Sequence, residues 1–125
     1  MLKSIRHLDY VVLLCNDLLL MKHFYHQIMG FSIHLETESW IEMQVGSTLL
    51  TLSKRERPFV GPAISDDTAA VQLAFRVAPQ DVQSCYEELK AQDVEIVQPP
   101  QIIDQRAWKY WKHRTLFFKD PEGNL

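Results

Sequence analysis

A chain of 125 residues, 46% of them hydrophobic, can bury one core and is too short for two independent domains of ordinary size. Its formal net charge of -3 and charged fraction of 23% come without a block of like charge, which excludes a nucleic-acid-binding tail and makes nucleic acid an unexpected partner. The early apolar stretch at 10–20 is broken by Asn16 and Asp17 and has no small-residue cleavage site after it, so neither a membrane span of about 20 residues nor a secretion signal is expected and the default location is the cytoplasm.

Residues 7–15 (HLDYVVLLC) are rich in β-branched and aromatic residues and predict a buried strand. Cys15 within it and Cys85 further on belong to no CxxC or Cys/His cluster and are expected as reduced, packed thiols. A helix is predicted from Asp17, whose carboxylate can cap the first turn, to about Met29, where Gly30 stops it. Leu20, Phe24 and Ile28 recur every four residues as its buried stripe. After Gly30 the period becomes two, giving strands at 31–37, 40–45 and 48–53 with a tight turn at Gly46-Ser47. Residues 55–68 carry charges, prolines and a glycine without a period and predict a linker.

Beyond the linker the order restarts. VQLAFRV at 71–77 predicts a strand, and Pro79 and Asp81 open a helix to about Gln92 with Val82, Tyr86 and Leu89 buried. Strands are predicted at 94–98 and 114–119, the DPEGN run at 120–124 is a turn signature, and a last strand would begin at Leu125. The chain is therefore predicted as an α+β fold of two βαβββ modules, about 5–54 and 69–125, with helices on the outer face and the inner faces forming a cup.

Three stretches, YVVLLCNDL at 10–18, FYHQIMGF at 24–31 and FFKDPEGNL at 117–125, together with the repeated element order, resemble the glyoxalase/bleomycin resistance/extradiol dioxygenase (vicinal oxygen chelate) superfamily. The resemblance implies a metal site with a histidine early in the first and fifth strands and a carboxylate late in the fourth and eighth. Aligned by the aspartate seven residues downstream, the first histidine position holds Tyr10, while His7 comes three residues too early. Gln72 stands at the second histidine position and Thr51 near the fourth-strand carboxylate, and the eighth-strand position falls two residues after Leu125. A phenol, an amide and a hydroxyl replace poorly the ligands that hold divalent metals, so no metal and no other cofactor is expected.

Strand alternation puts Val12 and Leu14 on Tyr10's face and Ala74 and Arg76 on Gln72's. In the meander, His34, Trp40, Glu42, Gln44, Thr51 and Ser53 are predicted to face the cup, and Ile33, Leu35, Ile41, Met43, Val45, Leu50 and Leu52 to lie under the helix. Trp40 offers a flat apolar surface, Glu42 a charge, and Tyr10, Thr51 and Gln72 hydrogen bonds, which suit a small organic ligand, aromatic or cationic. The AWKYWKH run at 107–113, with Trp108 and Trp111, reads either as a loop over the cup or as part of a subunit contact, and Arg114 beside it as a carboxylate fork. His34 and Glu42, on adjacent strands, are the candidates for a base and its orienting carboxylate, against a plain cross-strand polar pair.

The expected function is a metal-independent small-molecule-binding protein, similar to the drug-sequestering members of the superfamily. The alternative is a glyoxalase- or dioxygenase-like enzyme with a displaced metal site. A homodimer is what the resemblance implies.

Overall fold

The computed structural model describes residues 3–55, 71–103 and 113–125. Most of the predicted linker and the segment holding Trp108 and Trp111 lie outside them. The backbone divides into two compact units, Met1–Ala63 and Ile64–Leu125.

In the first unit, β1 (Tyr10–Cys15) is followed by α1 (Leu18–Lys22), a π-helical turn (His23–Ile28), β2 (Ser32–Glu36), β3 (Trp40–Val45) and β4 (Thr48–Lys54). The sheet order is β1-β4-β3-β2. β2, β3 and β4 form the predicted antiparallel meander, while β1 lies parallel to β4, a pairing that needs a crossover, which the helix and meander provide. Gly46 takes a φ of +57° in the turn joining β3 to β4, a left-handed conformation glycine adopts without steric cost.

Asp17 caps α1 as its position predicts, its carboxylate accepting the Leu20 amide at 3.0 Å. The buried stripe differs from the predicted one. Leu18, Met21, Phe24 and Tyr25 are buried, whereas Leu20 is exposed. Past Lys22 the helix widens, the Met29 amide reaching back five residues to the Phe24 carbonyl. A wider turn shifts successive side chains relative to a regular 3.6-residue repeat, and both Phe24 and Tyr25 come inward, their rings packed edge to face at 4.9 Å. These residues cover a sheet face built from Leu13, Cys15, Ile41, Met43, Leu50 and Leu52, all buried. Fully burying one such side chain contributes about 1.5–3 kcal/mol.

β2 departs from simple alternation. Ile33 pairs with Met43, but the next pair is Leu35 with Glu42, then Glu36 with Ile41. One extra residue, His34, is thus accommodated as a bulge, and an extra residue moves everything after it to the opposite face. Leu35, predicted under the helix, instead shares the open face with Glu42 and is exposed. Glu36 turns to the helix side, where its carboxylate pairs with Lys22 of α1.

In the second unit, a short 3-10 turn (Pro79–Asp81) leads into α2 (Val82–Ala91), with Val82 and Leu89 buried and Tyr86 half-buried beneath the Lys90 ammonium. β5 (Ile96–Ile103) and β6 (His113–Phe118) form an antiparallel pair against which α2 packs. The strand predicted at 94–98 therefore begins later and runs on to Ile103, through Pro99 and Pro100. Its register shifts between Gln98 and Gln101, because proline nitrogens cannot donate to the ladder and force an irregularity there. The strand predicted at 71–77 is not paired as one among the described residues. Its composition suits a strand, but a strand needs a ladder, and the described residues give it a backbone bond, from the Leu73 amide to the Leu125 carbonyl at 2.9 Å. At 120–124 the predicted turn is closed by Asp120, whose buried carboxylate accepts the amides of Glu122 and Asn124 and the Asn124 side chain.

Candidate functional site

The face of the first sheet turned away from α1 brings four of the predicted site residues together. Register places them on a grid. Val12 of β1, Thr51 of β4, Glu42 of β3 and Leu35 of β2 form a row across the sheet. On one side of this row Tyr10 is paired with Leu49, and on the other Leu14 and Ser53 lead to Trp40. Thr51 is the centre of that grid, with Tyr10 and Trp40 at opposite corners. The two rings nevertheless meet, edge to face, with centroids 6.3 Å apart. Side chains rooted at opposite corners reach one another by leaning over the position between them, so the aromatic pair roofs Thr51.

Thr51 is 0% exposed. Its hydroxyl oxygen is buried and has no hydrogen-bond partner among the described residues. A buried hydroxyl left unpaired costs about 1–3 kcal/mol, so this position opposes stability and calls for another reason to be there. Beside it, the half-buried Trp40 indole Nε1–H donates to Glu42 Oε1 at 3.0 Å. That bond orients the carboxylate while using one of the roughly four acceptor positions it offers.

Within the first unit, His34 is not assembled with these four. His34 sits in the bulge of β2 and is exposed, and Glu42 faces Leu35 rather than His34. The register therefore does not supply the proposed pair of base and orienting carboxylate. Gln72 and Arg76 are exposed in the segment 71–78, and Arg114 is exposed on β6 opposite Ile102, all in the second unit. Trp108 and Trp111 lie outside the described residues. Three residues on the open face, Ser32, Leu49 and Leu35, escaped sequence reasoning. Leu49 could have been assigned by extending the alternation back from Thr51, but nothing in the sequence around His34 announced the bulge that exposes Leu35.

The two helix histidines are not equivalent. His23 is exposed, but His26 is half-buried with Nδ1 2.7 Å from the Phe31 carbonyl. A carbonyl only accepts, so Nδ1 carries the proton, and the ring braces the turn after the helix. Cys15 is buried and its thiol donates to the Leu13 carbonyl. Burial, with Glu88 and Asp81 nearby, pushes the Cys85 thiol up from its ordinary value, the opposite of what a nucleophile needs.

A family profile described as the Glyoxalase/Bleomycin resistance protein/Dioxygenase superfamily matches residues 7–125. The chain belongs to this superfamily. Glutathione transferase FosA of Serratia marcescens is 29% identical over 127 residues, spanning 99% of this chain and 78% of its own length. A virulence protein of Salmonella typhimurium is 22% identical over 121 residues, covering 97% and 81%. Among solved structures, lactoylglutathione lyase from Agrobacterium tumefaciens superposes with a TM-score of 0.70 at 18% identity, covering 98% of this chain and 91% of that one. An integron cassette protein from the Halifax Harbour sewage outfall metagenome gives 0.71 at 20% identity, covering 96% and 94%. These superpositions show a shared α+β fold, and this fold hosts many chemistries.

The superfamily's metal positions can be tested against the side chains present. Tyr10 is engaged with Trp40, Thr51 Oγ1 is buried under that pair, and Gln72 is an amide. Neutral phenol, hydroxyl and amide oxygens do not make the imidazole and carboxylate set that holds a divalent metal. No group of three or more histidine, cysteine, aspartate or glutamate side chains among the described residues is placed to hold an ion. At these three positions the side chains present do not fit the metal. No helix among the described residues is long and apolar enough to cross a membrane.

Proposed function

We propose that this superfamily member binds a small organic molecule on the open face of its first sheet, without a metal. The observation that carries this reading is the buried, unpaired Thr51 hydroxyl beneath the Tyr10–Trp40 pair and beside Glu42. A ligand that parts the two rings gains a flat indole surface and a hydrogen bond to a hydroxyl that has no partner among the described residues. The sequestering role is in keeping with the described residues of this face, which include no nucleophile–base pair, and the superfamily resemblance makes a homodimer the expected setting.

The test is elemental analysis of protein purified without chelator, followed by a thermal-shift screen of small organic molecules in the presence of EDTA. Substoichiometric metal and ligand-dependent increases in Tm that EDTA leaves intact are expected, since a ligand at 100 times its Kd adds about 2.7 kcal/mol. Near-stoichiometric metal whose removal abolishes those increases would overturn the reading.

The likeness to a glutathione transferase over nearly the whole chain favours a second reading, a glyoxalase- or dioxygenase-like enzyme with a displaced metal site. Turnover of a thiohemiacetal or a catechol that is lost in Glu42→Gln would establish it in place of the first.

A further inference from the structure

We propose that the ligand of this face is a small protonated amine with an aromatic or apolar body, its N–H groups shared between Glu42 and Thr51 and its body held against Trp40 and Tyr10. The proposal rests on the binding reading above and names the chemistry that the same site selects.

Glu42 is the one ionisable carboxylate in the central row of Val12, Thr51, Glu42 and Leu35. The strand positions that share this face, on β1, β4, β3 and β2, include no lysine or arginine. The charged residues that end β4 and β2, Lys54 and Glu36, pair in register with Cys15 and Ile41 on the helix side. A negative ligand would therefore meet a half-buried carboxylate with no lysine or arginine among these described strand positions to offset it. A cation meets the reverse arrangement. Glu42 Oε1 is already oriented by the Trp40 indole, so the carboxylate is preset rather than free to rotate. Trp40 and Tyr10, in contact at 6.3 Å, supply two ring faces, and a cation over an aromatic face is attracted by its quadrupole, tryptophan most strongly.

The unpaired Thr51 oxygen separates an ammonium with N–H donors from a quaternary one. An ammonium has three donors, enough to reach the carboxylate and the hydroxyl at once. A quaternary cation would leave Thr51 unpaired beneath it. The apolar neighbours Val12 and Leu35 in the same row suit a hydrocarbon or aromatic body attached to the nitrogen.

Isothermal titration calorimetry of the full chain at pH 7 with benzylamine, which is protonated there, benzyl alcohol and benzoate tests the assignment. Benzylamine is expected to bind about tenfold more tightly than benzyl alcohol, the difference between a charge-assisted and a neutral hydrogen bond, and benzoate more weakly than either. Glu42→Gln keeps the side chain's shape and an oxygen for the Trp40 indole and should erase the preference for the amine. Trp40→Phe, which keeps a ring but releases the carboxylate, should weaken benzylamine in a chain whose amide spectrum stays dispersed. Equal binding of all three compounds, or a preference for benzoate, would overturn the ligand class and leave the binding reading intact. Silence from all three would also overturn it, with the thermal-shift screen deciding separately whether any ligand binds.

Discussion

Leu52→Ala is expected to lower the unfolding free energy by about 2–5 kcal/mol. Leu52 is 0% exposed and lies in register between Leu13 on β1 and Ile41 on β3, all three buried on the helix side. Removing most of the side chain there takes away its transfer free energy and leaves a cavity that two hydrogen-bonded neighbouring strands cannot close. Urea unfolding should show a lower midpoint with an unchanged slope. Leu35→Ala is the matched control. Strict alternation along β2 would bury Leu35 too, but the bulge at His34 puts it on the open face, 48% exposed, so its truncation should fall within about 0.5 kcal/mol of wild type. A loss at Leu35 comparable to that at Leu52 would contradict the bulge.

Thr51→Val is expected to have the opposite sign, raising stability by about 1 kcal/mol or more while weakening ligand binding. The two side chains have nearly the same shape, and valine replaces the unpaired buried hydroxyl with a methyl group that needs no partner, relieving a cost of about 1–3 kcal/mol. A residue that opposes folding and persists at the centre of a face is accounted for if it serves binding. Parallel thermal unfolding and ligand titration of the same variant separate the two effects. A destabilised Thr51→Val would mean that the hydroxyl is satisfied in the folded chain and would remove the main support for the site.

Much of the first unit was readable because local signals and long-range pairing agree there. The change of period at Gly30, the cap at Asp17 and the turn at Gly46 each have a short-range cause, and each appears where the residues call for it. The side chains of Tyr10, Trp40, Glu42 and Thr51 follow from alternation alone, because β1, β3 and β4 are regular. That Tyr10 and Trp40 meet over Thr51 was not readable, since it depends on the order β1-β4-β3, a property of the assembled sheet. The bulge at His34 has no glycine or proline to signal it. Its consequence, the pairing of Glu36 with Lys22, is a tertiary contact between a helix and a strand. In the second unit, residues 71–77 show the limit of composition. Val71, Leu73 and Phe75 suit a strand, yet strand structure is a relation between two segments, and a single backbone bond from Leu73 to Leu125 does not make a ladder.

The most direct measurement of the central claim is the Trp40 indole Nε1–H resonance, assigned by its loss in Trp40→Phe and followed together with the Thr51 methyl during titration with any compound that raises Tm. Trp40 donates that proton to Glu42 and its ring roofs Thr51, so a ligand seated on this face should move both signals along one saturable curve, unaffected by EDTA. Saturation of the Tm response with both resonances unmoved would place the ligand elsewhere and contradict the account.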